Sequence, residues 1–372
     1  MNTIQYVLLG LMATSTTGTF AQASFQTVGY LAGGNPVSHA LGTSHNGSTV
    51  VGYSTVSFAG IVGFQWSSGP GMTQIPILPD TNDYLPYATS PSGRFITGTH
   101  GSGGGPIGFV WSNQLGTVAI GDLPGGKRDS YLSDITDDGY GVGASSFAFS
   151  STGAGLFRAI QWDNVNGLTE LPLPSANDDQ FNSSARAVLS DGRIFGKSAS
   201  GAWLYSPDTA SFEMLDGAGA MSRVSADGEF FAGETTIGGG ARAAYWTRDG
   251  GLTPLPLLDG HSFSNLRGMS DDGSVIVGES VHLNGIGNDR VIWIDQMAPI
   301  PLTDFATSLG IDMTGWRITA VSGVSGDGST IVGTARHESW ESGHLEGFVL
   351  TIPAPASAGV LGVVLVAFRR RR

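Results

Sequence analysis

The stretch Ser270-Asp-Asp-Gly-Ser-Val-Ile-Val-Gly278, followed by Val291-Ile-Trp293, contains the pattern that decides the fold. A small or hydroxylated residue stands two positions before an Asp-Gly pair, mainly apolar residues follow, and a second Gly ends the run. Asp and Gly accept the positive φ angles that tight hairpin turns require. Large side chains at alternate positions, as in the second segment, face one side of a strand. The stretch therefore predicts a hairpin followed by a third strand.

This pattern occurs seven times along the chain, with Asn46 and Ser92 in place of the Asp in the first two copies. An aromatic or apolar strand follows each copy, and a Pro-containing stretch such as Leu252-Thr-Pro-Leu-Pro-Leu257 then often follows the strand. Because proline cannot donate to a strand ladder, Pro76, Pro172, Pro256 and Pro301 are expected on a fourth strand at the outer edge. The first Gly of the pattern recurs at Gly47, Gly93, Gly139, Gly192, Gly228, Gly273 and Gly328.

Four strands per unit, repeated every 36 to 55 residues, are typical of β-propeller blades. The seventh unit ends after Phe348-Val-Leu350 and lacks a fourth strand. The segment Thr27–Gly34 has the character of a fourth strand without a blade of its own. The sequence therefore predicts an all-β, seven-bladed β-propeller with four-stranded blades over residues 24–352. In this prediction, the N-terminal strand closes the ring by completing the last blade.

The composition supports this fold class and excludes several functions. The chain has 57 Gly, 17 Pro and no Cys, and charged residues make up 13% of it. Glycine disfavours helices by about 1 kcal/mol each, whereas turns between short strands accept it. A net charge of −13 argues against nucleic-acid binding, because it repels phosphates. Without Cys, the chain has no disulfide, thiol nucleophile or thiolate metal site.

The N-terminal segment, residues 1–23, has the features of a secretory signal peptide. An apolar run over residues 4–12 precedes a Ser/Thr/Gly stretch and then Ala21-Gln22-Ala23, a small-x-small cleavage site. Ala21 and Ala23 are the predicted cleavage-site residues. The alternative is that the apolar run forms a buried first strand of the domain.

The C-terminal segment, residues 353–372, combines Pro353-Ala354-Pro355, an uncharged apolar run and four arginines that begin with Arg369 and Arg370. It resembles the PEP-CTERM sorting signal of Gram-negative bacteria, although Ala354 stands where that signal has Glu. The resemblance implies that an exosortase-like membrane protease processes the segment, which contacts the membrane before processing. It also implies a secreted or cell-surface location. The alternative is a plain C-terminal membrane tail.

A second resemblance concerns the repeat. Val118–Gly143, with its Asp-Leu-Pro-Gly-Gly and Gly-Tyr-Gly-Val-Gly runs, and Tyr30–Gly52 are similar to the HAF-type extracellular repeat of bacteria. The similarity extends over residues 25–350 and rests on Gly, turn and aromatic positions. It implies export and repetition, and it supplies no catalytic residues.

Repetition also guides the search for chemistry. A residue present in every blade is expected to build the ring, so the turn Asp and the strand Trp are interpreted as structural. The sequence identifies no catalytic residue, cofactor or metal ligand. Calcium binding by a loop pair such as Asp178-Asp179 stays open, although the EF-hand layout is missing. His337-Glu338 begins like a zinc-protease helix, but Glu341 occupies the position of the second His.

Residues outside the regular pattern are the candidate binding residues. Two insertions, at residues 143–158 and 303–320, exceed the repeat length. Trp316, Trp340 and Glu341 lie outside the repeated positions and are the candidates for ligand binding, because such loops often have functions. The alternative is a long surface loop with a buried anchor.

Two functions remain open from the sequence. The first is an exported, non-catalytic surface or matrix protein, in which the propeller binds a glycan or another protein. The alternative is an extracellular carbohydrate-active enzyme, a hydrolase or lyase with paired carboxylates or His at the central channel. Two non-repeated carboxylates about 5 to 10 Å apart at the channel mouth would favour the enzyme.

Overall fold

A computed structural model describes residues 22–56, 60–79, 81–102, 105–282 and 287–352. These residues form seven four-stranded antiparallel sheets in a ring, so the predicted seven-bladed β-propeller is confirmed. The cleavage-site residue Ala21 and the C-terminal segment from Pro353 to Arg372 lie outside the described residues. No helix within the described residues is long and apolar enough to cross a membrane.

Blade 1 takes the second to fifth strands of the chain, each later blade takes the next four, and blade 7 combines the last three strands with the first. A 3-10 turn spans Ala176–Gln180, and a short helix, α1, spans Leu302–Ser308. In chain order the strands are β1 Ser24–Thr27, β2 Ser38–Thr43, β3 Val50–Val56, β4 Gly60–Ser67, β5 Gly71–Gln74, β6 Asn82–Thr89, β7 Ile96–Ser102, β8 Gly105–Ser112, β9 Gly116–Ala119, β10 Ser130–Ile135, β11 Gly141–Phe149, β12 Gly155–Asp163, β13 Gly167–Glu170, β14 Ser184–Val188, β15 Ile194–Ser198, β16 Gly201–Ser206, β17 Ser211–Leu215, β18 Met221–Val224, β19 Phe230–Ile237, β20 Gly240–Thr247, β21 Gly251–Pro254, β22 His261–Met269, β23 Val275–His282, β24 Asn288–Ile294, β25 Ile300–Pro301, β26 Trp316–Val324, β27 Thr330–His337 and β28 Glu346–Thr351.

The repeated Asp-Gly pair builds the turn between the first two strands of a blade. In blade 5, Oδ1 of Asp227 accepts hydrogen bonds from the Ser225 hydroxyl (2.6 Å) and the Glu229 N–H (3.0 Å). Gly228 has a φ of +75° and its N–H donates to the Ser225 carbonyl. The Ser225 hydroxyl and the Glu229 N–H lower the pKa of Asp227. The turn Asp therefore has the structural role that its repetition indicates.

These turns are joined to one another at one end of the ring. The Ala226 N–H donates to the Asp271 carbonyl of the next blade, and the Asp271 N–H donates to the Gly326 carbonyl, both at 2.8 Å. The Asp327 N–H returns to the His45 carbonyl of blade 1 at 2.8 Å. We call this end of the ring the turn face. The opposite end, which contains the hairpins between second and third strands and the links between blades, is the connector face.

The hydrophobic core is divided among the blade interfaces. Each of seven buried clusters joins one blade to the next. Between blades 7 and 1, for example, Phe64 and Trp66 pack with Val332 and Val349. The cluster between blades 6 and 7 also contains Phe305 of α1. The repeated aromatic residues therefore hold neighbouring blades together.

Ring closure follows the prediction, but with different strand bounds. Strand β1 pairs with β28, Ser24 lies opposite Thr351, and the Val28 N–H donates to the Gly347 carbonyl at 2.8 Å. The predicted bounds of this strand, Thr27–Gly34, were wrong, because most of that segment forms the link between β1 and blade 1. The register is favoured by Phe25, whose ring packs 5.3 Å from Phe348, whereas Tyr30 is 45% exposed.

The prolines also lie differently from the prediction. Pro76, Pro172 and Pro256 follow the outer strands, and only Pro301 lies within one. The residue before each of these three prolines makes the last ladder bond; the Ile75 N–H, for example, donates to the Gly63 carbonyl at 2.9 Å. Proline then ends the pairing, because it has no N–H to continue it.

Candidate functional site

The seven first strands surround a central cavity of about 720 Å³ that reaches the turn face. Its lining begins at the turn residues His45, Pro91 and Asp271 and extends inward along each first strand. Every blade therefore contributes to one shared site, which lies on the ring axis.

A β-bulge interrupts each first strand at the same place, three residues before the residue that begins the turn. A bulge leaves one residue unpaired and redirects its side chain. All seven bulge residues line the cavity, although their side chains have little in common. They are Leu41, Tyr87, Ser133, Arg186, Ser222, Arg267 and Ser322.

The position after the bulge is Gly or Ala in five blades. A Cβ at Gly42 would lie 2.3 Å from the Tyr87 carbonyl oxygen, so adjacent first strands approach closely here. Blades 3 and 5 instead have Asp134 and Arg223, which reach to the following blade. Oδ2 of Asp134 accepts from the Val188 N–H at 2.8 Å, and Nη2 of Arg223 donates to the Arg267 carbonyl at 3.3 Å.

Asp134 is an unusual carboxyl group. Burial raises the pKa of Asp134 to about 6. Hydrogen bonds from the Val188 and Ile135 N–H groups act in the opposite direction and lower this pKa. The charge of Asp271 raises this pKa further, and the charge of Arg223 lowers it. Asp271 therefore acts on Asp134 inside one cavity, and neither residue has an acidic equivalent in every blade.

Three arginines line the cavity on adjacent blades: Arg186, Arg223 and Arg267 of blades 4, 5 and 6. Burial and the charge of Arg186 both lower the pKa of Arg223, although Asp134 opposes them. Nε of Arg186 donates to the Ser184 hydroxyl at 3.1 Å. Among the described residues, neither Arg186 nor Arg223 has a carboxylate within 4.0 Å, the limit for an ion pair here.

The cavity wall also contains tyrosines. The hydroxyl of Tyr87 is buried and has no hydrogen-bond partner among the described residues. Burial raises the pKa of Tyr87, and the nearby Tyr131 adds to this effect. Burial also raises the pKa of Tyr131, so both hydroxyls are neutral donors at physiological pH.

A side-chain hydrogen bond crosses part of the rim. Nδ1 of His45 in blade 1 lies 2.8 Å from Oδ2 of Asp271 in blade 6, and both side chains are about half exposed. The pair passes over Gly326 of blade 7, where a Cβ would lie 2.3 Å from the His45 nitrogen. Only glycine leaves room for this contact.

The structure brings together two of the three sequence-predicted binding residues. The rings of Trp316 and Trp340 lie 5.2 Å apart at the connector face of blade 7, and Trp340 stacks on His344 at 3.9 Å. Trp316 also packs against the cluster between blades 6 and 7, which is the anchoring role that the alternative interpretation gave it. Glu341 is exposed in the link before β28.

The carboxylates of the acidic loop pair already have protein partners. Asp178 is buried and accepts from the Ser198 hydroxyl and from the N–H and hydroxyl of Ser200, at 2.9 to 3.0 Å. Asp179 lies 3.1 Å from Nη2 of Arg158.

Sequence reasoning did not identify the cavity residues. Their signal was present, because Asp134, Arg186, Arg223 and Arg267 stand two or three positions before the residue that begins the turn, where the other blades have small or neutral residues. The sequence does not reveal the bulge that turns these positions toward the axis.

Comparison with known proteins supports the fold. An oligogalacturonate lyase from Vibrio parahaemolyticus has a TM-score of 0.56 and 12% identity over 90% of this chain and 98% of that chain. An oligogalacturonate lyase in complex with manganese has a TM-score of 0.56 and 11% identity, and the match covers 90% of this chain and 97% of that chain. A third neighbour is the propeller domain of the Trilobed protease from Pyrococcus furiosus, which has an open velcro topology. Its TM-score is 0.54 and its identity 12%, and the match covers 89% of this chain and 93% of that chain.

No family model and no curated protein matches the chain. At these identities, the likeness to solved structures concerns the propeller fold alone.

Proposed function

We propose that the protein is a binding propeller that takes an acidic oligosaccharide into its central cavity at the turn face. The observation that supports this function is the group of three arginines, Arg186, Arg223 and Arg267, at non-repeating positions on adjacent blades. A ring needs its repeated residues for construction, so residues that differ between blades at one position are candidates for binding a ligand. Arg186 and Arg223 have no carboxylate within 4.0 Å among the described residues, whereas Nη2 of Arg267 lies 3.5 Å from Oε1 of Glu279.

The charges favour an anionic ligand. Arg186 lowers the pKa of Arg223 because the two cations repel each other, although the charge of Asp134 opposes this effect. A bound anion between the two arginines would relieve this repulsion. The rest of the chain is acidic, so the cavity is a local exception to a net charge of −13. Planar guanidinium groups match carboxylates in bidentate geometry.

The size and the remaining lining favour a sugar acid. A cavity of about 720 Å³ falls within the roughly 300–1,000 Å³ of small-ligand sites. The Tyr87 hydroxyl is buried and has no partner within the described part of the chain, so it can donate to a sugar hydroxyl or ring oxygen. Two structural neighbours are oligogalacturonate lyases, and an oligogalacturonate has one carboxylate on every sugar. It is the natural first ligand to test.

The test is isothermal titration of the purified protein with trigalacturonate, and with the neutral trisaccharide maltotriose as the matched ligand. We expect binding of trigalacturonate alone, and weaker binding at higher ionic strength because salt screens the charges. Arg186→Gln and Arg223→Gln are each expected to weaken binding about tenfold or more, since hydrogen bonds to charged groups contribute about 1.5–3 kcal/mol.

Arg94→Gln is the control, because it removes the same charge at an exposed position that donates to Gln114 at the rim of blade 2. Its affinity should equal that of the unaltered protein. Equal binding of both trisaccharides, or no effect of either cavity substitution, would contradict the proposal.

A second candidate function, an enzyme acting on the same ligand, is supported by Asp134. A carboxyl with a pKa near 6 suits general acid catalysis at neutral pH, and Asp271 is a second carboxylate in the same cavity. New reducing ends or unsaturated sugars formed from trigalacturonate, and lost in Asp134→Asn, would favour the enzyme. Intact trigalacturonate after long incubation would favour the binding module.

We also propose that the propeller acts outside a bacterial cell, exported through residues 1–23 and handled by an exosortase-like protease at residues 353–372. Support comes from the sequence, namely the apolar run and small-x-small site of residues 1–23 and the resemblance of residues 353–372 to a sorting signal. Ser24 pairs with Thr351, so both segments join the propeller at one edge of the turn face. Deleting residues 353–372 is expected to move the protein from the cell surface to the medium. Unchanged retention after fractionation would rule out the sorting role.

A further inference from the structure

Blade 6 places three metal-ligating side chains on adjoining strands at the connector face. His261 begins β22, His282 ends β23, and Asp289 is the second residue of β24. His261 lies directly opposite His282, and Asp289 lies opposite Ser280. Because alternate residues of a strand face the same side, all three side chains share one face of the sheet.

The distances approach those of a metal centre. One ligand atom from each residue lies within 4.8 Å of the others, and Nε2 of His261 is 3.4 Å from Oδ2 of Asp289. Two ligands of a tetrahedral zinc ion stand roughly 3.3 Å apart, given bonds of about 2.0–2.1 Å. His282 and Asp289 are exposed at strand ends, so small side-chain rotations close the remaining gap.

Two buried polar atoms on this face have no partner among the described residues. They are Nδ1 of His261, whose side chain is 3% exposed, and the hydroxyl of Ser280, which is fully buried. Buried polar atoms are normally hydrogen-bonded, so this face of blade 6 has unsatisfied polar groups beside the three side chains. The nitrogen of His261 that faces Asp289, and would bind the metal, is Nε2. The imidazole rings of His261 and His282 pack at 3.9 Å between centroids, so the two side chains already lie side by side.

We propose that His261, His282 and Asp289 bind one divalent transition-metal cation, for which Zn²⁺ is the probe. Two imidazoles and one carboxylate suit zinc or a related transition metal, whereas calcium takes oxygen ligands. Three protein ligands leave a coordination position for water or an anionic group, reached from the exposed side of His282. The cavity arginines lie toward the other face, so this site does not depend on the proposed acidic ligand.

The experiment measures Zn²⁺ binding to the untagged full-length protein by competition with a chromogenic chelator after removal of bound metal. We expect one Zn²⁺ per chain. His282→Gln and Asp289→Asn should each weaken binding more than about tenfold, because each removes one of three ligands. Both residues are exposed, so these variants should fold, and circular dichroism checks this. The absorption spectrum of bound Co²⁺ reports a tetrahedral site that either variant would alter.

His337→Gln is the matched control, because His337 ends β27 of blade 7 just as His282 ends β23 of blade 6. It should bind Zn²⁺ like the unaltered protein. Failure to bind one Zn²⁺ per chain, or equal affinity in His282→Gln and His337→Gln, would overturn the proposal. His261→Gln that folds and keeps its zinc affinity would do the same.

Discussion

Gly326 has a role that neither its turn nor its own blade explains. It has no side chain, and this lets His45 of blade 1 meet Asp271 of blade 6 across the edge of blade 7. A single missing Cβ therefore permits a contact between blades that are not neighbours.

We expect Gly326→Ala to lower the free energy of unfolding by about 1–2 kcal/mol, because the new methyl group must displace both partners. In a background of His45→Ala and Asp271→Ala, the same substitution should cost less than about 0.5 kcal/mol, since nothing remains to displace. Urea unfolding measures both values. Gly69→Ala, which meets no atom within 4 Å, is the control. Equal costs in both backgrounds would refute the clash.

Asp134 offers a second prediction, because its neighbours act on its pKa in opposite directions. A carboxyl titration followed by NMR should give a pKa of about 6. Arg223→Gln should raise this pKa, since it removes a cation, and Asp271→Asn should lower it, since it removes an anion. Shifts in the same direction in both variants would contradict the arrangement of the cavity.

The raised pKa also predicts how pH affects stability and binding. The folded state favours the protonated form of Asp134. The stabilisation that this protonated carboxyl gives is therefore lost as pH rises from 3.8, the ordinary pKa of Asp, through about 6. The loss amounts to up to about 3 kcal/mol. Trigalacturonate should bind more tightly as pH falls through 6, because one negative charge leaves the cavity. The difference between Asp134→Ala and the unaltered protein, measured from pH 4 to 8, tests both effects.

At the scale of elements, the hairpins were predictable and the bulges were not. Asp-Gly turns require particular residues, so they are visible in the sequence. The bulge positions hold residues as different as Leu41, Ser133 and Arg186, because a bulge is an irregularity of backbone pairing. From the sequence, the cavity residues could therefore be recognised only as positions that differ between blades. That they face one cavity could not be predicted.

The helix α1 was equally hidden, within an insertion predicted as a loop. Phe305 is 1% exposed and closes the cluster between blades 6 and 7. We expect Phe305→Ala to lower the free energy of unfolding by about 3–5 kcal/mol, the usual cost of removing a buried aromatic ring. Thr307→Ala, on the exposed side of the same helix, should change it by less than about 1 kcal/mol. Equal effects in thermal unfolding would show that α1 does not seal this interface.

For the whole molecule, ring closure was predictable from two observations. The seventh repeat lacks a fourth strand, and the N-terminal strand precedes the first repeat and belongs to none. The bounds of β1 were not predictable, because Thr27–Gly34 imitates the Gly-rich stretch that follows an outer strand. Packing of the partly buried Phe25 against Phe348 favours the observed register, and this contact joins the two ends of the propeller.

A disulfide across that closure should stabilise the entire ring. Ser24 lies opposite Thr351, and the chain has no Cys to compete. We expect Ser24→Cys with Thr351→Cys to raise stability by up to about 5 kcal/mol, because the bond closes a very long loop. Thr236→Cys with Ala241→Cys, a pair within blade 5, closes a short loop and should add about 2 kcal/mol. Melting temperatures with and without reductant give both gains; a larger gain from the short loop would argue that the ring does not unfold as one unit.

The closing strand also sets an order of events during synthesis. Residues Ser24–Thr27 leave the ribosome among the first, whereas their partner, Glu346–Thr351, is made more than 300 residues later. At about 5–20 residues per second, this delay lasts roughly 15 s to a minute. Until then the ring cannot close, and the unpaired segment is only four residues long, too short to recruit other chains readily. A chain interrupted before residue 346 lacks the partner of its first strand and cannot complete the circle.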